Sequence, residues 1–201
     1  HKKWDTNIAI LSGDLLYAFV NKILASSPEQ SPEIHLLFQQ TAMEVCEGQS
    51  LDMEFETSSE VSQDEYINMI KLKTAVLVGC ALKIGAIIGG ASKIDADLLY
   101  NFGVNLGIAF QIHDDILDVY PDKGVFGKQI GGDIIEKKKT ILFIDLISKS
   151  SLSQKNEIFS ILESEDIDKD KKVEKIKNLY DKYNVLSNAE DVKSIYYNKS
   201  I

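Results

Sequence analysis

The sequence predicts an all-α protein, a single-domain bundle of long helices around a central cleft. Helix-period apolar patterns are long and strand signals are weak. Ser-Pro turns and capping patterns separate the helical stretches, and no repeat at a solenoid period runs through them. Hydrophobic residues make up 44% of the 201, enough for one domain with a substantial core.

The first helix is expected over residues 5 to 25, from Asn7 past Leu16 and Val20. The two Ser-Pro steps Ser27-Pro28 and Ser31-Pro32 make a turn, and Pro32 suits the first turn of the next helix behind Ser31 as cap. That helix runs to about Glu56. Ser62 with Glu65 three residues on reads as a capping box for a helix from Gln63 to about Gly90. Its Ala75, Gly79, Gly85 and Ala86 are small enough to let a neighbour approach. A helix from Asp95 to Tyr120 follows and Pro121 ends it. After a Lys- and Gly-rich loop, 122–132, Asp133 is a plausible cap for a helix over 134–149. Residues 1–149 therefore read as the core, and 150–201 as shorter, more charged peripheral helices near 153–164, 168–183 and 187–200.

The net charge of −9 argues against a nucleic-acid partner held by phosphate neutralisation. All basic residues are Lys; the chain has no Arg. Cys46 and Cys80 sit in apolar helical patterns and read as buried free thiols. No uninterrupted apolar run reaches membrane-spanning length, so no transmembrane segment is expected.

The segment Phe110 to Asp118 carries the strongest chemical signal. At about 100° per residue, Gly107, Gln111, Asp114 and Asp118 project within roughly 60° of one another, with Asp115 flanking them. Crowded carboxylates repel unless something positive sits between them. An acidic triplet is ordinarily a solvated helix face. Here the neighbours are Ile112, Ile116, Leu117 and Val119, which a solvated face does not explain. Oxygen ligands without Cys favour Mg²⁺, which takes its remaining ligands from water and substrate phosphates.

Further clusters could converge on this helix. Gln49 and Asp52, three apart, share a helix face. Lys73-Thr74 could cradle a phosphate edge, although a lone Lys on a helix more often snorkels. Gly127-Lys128 to Gly132-Asp133 lets backbone approach an anion, but it is not a P-loop. In Lys137-Lys138-Lys139-Thr140 one Lys turned inward would add positive charge. Acids for metal, lysines for phosphate and an apolar helical wall suit a substrate with a diphosphate head and a hydrocarbon tail.

These residues resemble the trans-isoprenyl diphosphate synthases, or polyprenyl synthetases. Asp114-Asp115-Ile116-Leu117-Asp118, preceded by Phe110-Gln111, looks like the family's second aspartate-rich motif. Gly48-Gln49-x-x-Asp52, Lys73-Thr74, Gly127-Lys128, Gly132-Asp133 and Lys138-x-Thr140 match family motifs in family order, over roughly residues 4 to 145. The family's first aspartate-rich motif and the arginines after it have no counterpart here. The resemblance therefore implies an N-terminally incomplete member, inactive as this chain alone.

The resemblance implies an isoprenoid synthase-like fold and head-to-tail condensation of an allylic prenyl diphosphate with isopentenyl diphosphate. It implies Mg²⁺ held by Asp114, Asp118 and Asp115, with Asp52 as helper. Lys73, Lys128 and Lys138 would hold the allylic diphosphate, with Lys139 the alternative to Lys138. Thr74 and Gln111 would steer the cation. A cytoplasmic homodimer is the expected form. The alternative is a non-catalytic subunit of a heteromeric prenyl synthase. Product chain length is not legible.

Overall fold

Every regular element among the described residues is a helix, in accord with the all-α expectation. The computed structural model describes residues 2–26, 31–58, 60–121 and 130–201. Helix α1 is Thr6–Ala25, α2 is Ser31–Thr57 and α3 is Gln63–Ile70. A π-helical turn, Lys71–Ala75, joins α3 to α4, Val76–Ile88. Then come α5 (Lys93–Val119), α6 (Gly132–Ile135), α7 (Ile141–Lys149), α8 (Leu152–Glu163), α9 (Lys169–Lys182) and α10 (Val185–Ser200).

Local chemistry sets the helix starts. Asp5 caps α1 by accepting from the Ile8 N–H at 2.9 Å. The capping box at α3 is present: Ser62 Oγ accepts from Glu65 N–H, and Glu65 accepts from Ser62 N–H at 2.8 Å. Ser92 caps α5, three residues before the expected start. Pro32 lies in the first turn of α2; the side chain of Ser31 lies outside the described ones, as does most of the 122–132 loop.

Two expected helices are interrupted. The helix expected over 63–90 contains the π turn, and the one expected over 134–149 is two pieces. There Lys137 adopts a left-handed φ of 58°, and Thr140 restarts the chain as the cap of α7. Asp133 sits in the first turn of α6 rather than at its cap, which is Gly131.

The core is organised around α5. Its Ile108, Ile112, Ile116 and Val119 pack with Leu142 and Leu146 of α7, Ile176 and Tyr180 of α9, and Val185 and Ala189 of α10. Residues 150–201, read from the sequence as peripheral, thus supply fully buried side chains to the main core. Their charge lies on the outer faces, which is what made them look external. Small residues bring the site elements together. A Cβ on Gly48 of α2 would stand 2.3 Å from the Lys73 backbone nitrogen, and one on Gly107 of α5 would stand 2.7 Å from Ala75 Cα. The π turn is therefore gripped between two glycines. Gly79 meets Val104 and Tyr100 closely in the same way, whereas Gly85, expected to ease packing, faces open space.

One further expectation needs correction. Cys80 is buried but Cys46 is exposed, on the outer face of α2. Helix α1 is long and apolar enough, by length and composition, to cross a membrane, with mean hydropathy 1.5 and no buried residue. Leu11, Leu15, Leu16 and Phe19 are each more than half exposed on it. It touches α2 through a stacked Tyr17–Phe38 pair and a Tyr17 hydroxyl donating to Gln39.

Candidate active site

The π turn, α5 and the α6–α7 connection meet around one cavity of about 110 Å³. Asp52, Lys73, Thr74, Gln111, Asp114, Asp115, Lys138 and Lys139 line it, with Tyr66, Met69, Ile70, Asp133 and Thr140. Residues from four separate stretches of sequence thus share one space. That volume is far below the ~300–1,000 Å³ of pockets that enclose whole organic ligands, so it suits a charged head alone. The apolar residues that border this cavity are Met69 and Ile70, with the Tyr66 ring. The apolar side chains next to the motif turn elsewhere. Phe110 is 62% exposed and borders, with Leu106 and Ala109, a separate hollow against Tyr197 of α10. Position 110 lies about 100° round the helix from position 111.

Lys73 reaches across to α2, where its ammonium meets Asp52 at 2.5 Å. Asp52 is thereby a partner that aims a lysine. The π turn continues with Thr74, whose hydroxyl donates to Gln111 Oε1 at 3.0 Å. Gln111 Nε2 in turn donates to Asp115 Oδ1 at 3.1 Å, and the Tyr66 hydroxyl donates to Asp115 Oδ2 at 2.7 Å. Single π turns inside α-helices recur at functional sites because they re-aim side chains.

The three aspartates of α5 fare differently. Asp114 lines the cavity. Asp115 is 6% exposed, with both oxygens engaged from within. Burial raises its carboxyl to about 7, against the opposing hydrogen bonds of Tyr66 and Gln111. Asp118 does not line the cavity. One turn further along, its Oδ2 accepts from the Asp133 N–H at 3.0 Å, while its carbonyl accepts from Gly131 N–H at 2.7 Å. It fastens the returning chain, and so places Asp133 and the lysines after it. Burial raises the Asp118 carboxyl, and the Asp133 N–H opposes that.

Both lysine candidates line the cavity. Lys138 pairs with Asp133 at 2.9 Å and Glu136 at 3.0 Å; burial lowers its affinity for a proton, but those carboxylates outweigh it and leave it raised. Lys139 is half-buried above the rings of Phe143 at 4.8 Å and Phe159 at 5.6 Å. Burial, with Lys137 nearby, lowers it. The break at Lys137 is what delivers both to the cavity. Lys128 lies outside the described residues.

Among the described residues no three Asp, Glu, His or Cys side chains converge closely enough to enclose a metal ion. The donor set around Asp114 is all oxygen. That fits a hard cation sharing its shell with substrate phosphate and water, and does not fit a closed protein site. Sequence reasoning missed Tyr66. The signal was present, since Tyr66, Met69, Ile70 and Lys73 follow i, i+3, i+4, i+7 and share a helix face.

An all-helical cleft with acids and lysines converging from separated motifs defines the class to which comparison with known proteins assigns the chain. Residues 1–182 match the family model for polyprenyl synthetase. The chain belongs to the polyprenyl synthetase family. It is similar to a short chain isoprenyl diphosphate synthase of Methanothermobacter thermautotrophicus, 37% identical over 96% of this chain and 59% of that protein. It is similar also to a geranylgeranyl diphosphate synthase of Sulfolobus acidocaldarius, 35% identical over 100% of this chain and 62% of that protein. Among solved structures, the geranylgeranyl pyrophosphate synthetase of Pyrococcus horikoshii superposes with a TM-score of 0.90 at 33% identity, covering 100% of this chain and 61% of that one. The chain therefore spans about three fifths of the length of these relatives.

Proposed function

We propose that this chain carries the allylic-diphosphate half of a prenyltransferase site. The reaction joins an allylic prenyl diphosphate to isopentenyl diphosphate. The allylic C–O bond breaks and diphosphate leaves with the electron pair. The double bond of isopentenyl diphosphate attacks the allylic carbon, a C–C bond forms, and loss of one proton restores a double bond. The product is a prenyl diphosphate one isoprene unit longer. The observation that supports this reading best is the single cavity shared by Lys73-Thr74, Gln111-Asp114 and Lys138-Lys139.

In this reading Lys73, Lys138 and Lys139 hold the diphosphate and take up charge as it leaves. Lys128 joins them by its place in the motif. Thr74 and Gln111 present oxygen dipoles where positive charge develops on carbon. Asp114 would hold Mg²⁺, with Asp118 as a further candidate, and Asp52 and Asp115 act by holding Lys73 and Gln111. When bound, Mg²⁺ supplies Lewis-acid stabilisation of the leaving diphosphate.

We also propose a cytoplasmic homodimer that uses α1. Exposed apolar side chains cover that helix, yet Asp14 lies near its middle, where a bilayer would charge roughly 2.5–3.5 kcal/mol for it. A second protein surface suits both features.

The test is incubation of the full-length protein with an allylic diphosphate, labelled isopentenyl diphosphate and Mg²⁺. Label should appear in a longer prenyl diphosphate. A folded protein that incorporates none refutes a self-sufficient enzyme; incorporation only after a second, different chain is added supports the non-catalytic subunit.

A further inference from the structure

We propose that Tyr66 is a positioning residue which, through Asp115, sets which way round the Gln111 amide stands. The inference rests on the prenyl-transfer reading for its consequence, but not for its geometry.

In its ionised form Asp115 only accepts hydrogen bonds, as it does at both Oδ1 and Oδ2 here, whereas a side-chain amide donates at one end and accepts at the other. Asp115 sits between two donors. The Tyr66 hydroxyl occupies Oδ2 at 2.7 Å, so the Gln111 amide is left with Oδ1, which it meets through Nε2 at 3.1 Å. With its nitrogen committed, the amide must turn Oε1 toward the π turn, where the Thr74 hydroxyl donates to it at 3.0 Å. A flip of the amide would set Oε1 against a carboxylate oxygen, acceptor against acceptor, whereas the Thr74 hydroxyl can turn to suit either end. Each link thus determines the next, from Tyr66 on α3 to Thr74 on the π turn.

Tyr66 is 1% exposed; its ring borders the cavity, while its hydroxyl is spent on Asp115 and reaches the Gln111 amide only through that residue. The consequence falls at the cavity, which Gln111 and Thr74 both line. Fixed dipoles aimed at developing charge are worth more than ones that must reorient at the moment of reaction. Removing the Tyr66 hydroxyl leaves a buried carboxylate oxygen without a donor. Asp115 then draws the amide toward both of its oxygens, and Oε1 loses its set direction.

Kinetics and spectroscopy of the full-length protein test this together. Tyr66→Phe keeps the ring and deletes one hydroxyl. It should lower kcat about tenfold or more, with KM for the allylic diphosphate changed less than about threefold, because the lysines still hold the head group. In a Gln111→Ala background the same change should cost less than about twofold further. Equal losses in both backgrounds overturn the proposal, as does a variant that loses only melting temperature while kcat stays put. Independently, the Gln111 side-chain amide signal in a nitrogen–proton correlation spectrum, assigned by its absence in Gln111→Ala, should shift or broaden in Tyr66→Phe. An unmoved signal overturns the proposal. If the wild-type protein makes no prenyl product, the prenyl-transfer reading fails, and the spectrum still decides the linkage. Should Tyr66→Phe not fold, Asp115→Asn takes its place with the same expected shift and the same overturning result.

Discussion

Lys73 and Asp52 illustrate how a charged pair can act by direction more than by strength. Both side chains are partly exposed, so the pair adds less than about 1 kcal/mol to stability. What it supplies is an ammonium held over the cavity. Asp52→Ala should therefore leave the urea midpoint nearly unchanged and raise KM for the allylic diphosphate about tenfold, measured by steady-state kinetics. Asp114 belongs to the chemistry proper in the proposed reaction. Asp114→Ala should cut kcat at least ~100-fold even at saturating Mg²⁺, because it removes a contact that strengthens as the diphosphate leaves. Near-normal turnover in that variant would move the metal elsewhere. Asp115 and Asp118 show that adjacent acids on one helix need not share a task, since one turns inward to Tyr66 and the other fastens the Asp133 backbone.

At the scale of the element, the π turn is the piece that most shapes the site, and it depends on the backbones beside it. Gly48 and Gly107 let α2 and α5 close on it from either side. Gly48→Ala places a methyl group 2.3 Å from a backbone nitrogen, which no rotamer change can relieve. It should cost about 1–3 kcal/mol of stability and displace Lys73, seen as a lowered urea midpoint with a raised KM. Gly85→Ala is the control. Nothing lies within 4 Å of its added Cβ, and the helix gains about 0.5–1 kcal/mol from reduced unfolded-state freedom. A Gly48→Ala protein as stable as the Gly85→Ala one would mean that α2 does not press on the turn as described.

For the whole molecule, two properties follow from what is buried and what is not. Helix α1 presents Leu11, Leu15, Leu16 and Phe19 with no buried residue of its own. In the proposed homodimer, Leu15→Glu should convert the dimer to monomer, read by light scattering on a sizing column; an unchanged mass would place the interface elsewhere. Two buried tyrosines and a half-buried one bear on alkaline behaviour. Burial raises Tyr66, Tyr120 and Tyr180 above the ordinary tyrosine value, with neighbouring carboxylates adding to it. In the folded chain these phenols hold their protons to higher pH than in the unfolded one. Their contribution is thus complete below pH about 10 and declines as pH rises beyond it. Urea midpoints should be flat from pH 8 to 10 and fall steeply by pH 11, alongside a delayed tyrosinate absorbance; a flat midpoint to pH 11 would contradict this burial.

The sequence by itself determined the helical class, most helix positions and the family, because periodicity, caps and ordered motifs are local records. The capping box at Ser62 and Glu65, the end of α5 at Pro121, and the gathering of Lys73, Gln111 and Asp114 were all legible. What only the tertiary structure decided depends on partners distant in the chain. The meeting of Tyr66 with Asp115 spans 49 positions, and that of Lys73 with Asp52 spans 21. Spacing shows that three aspartates share a helix, but not which one is met by a buried hydroxyl. The break at Lys137, the π turn at Lys71–Ala75 and the burial of α9 and α10 against α5 likewise arise from packing, which overrides local propensity wherever a close contact or a core position demands it.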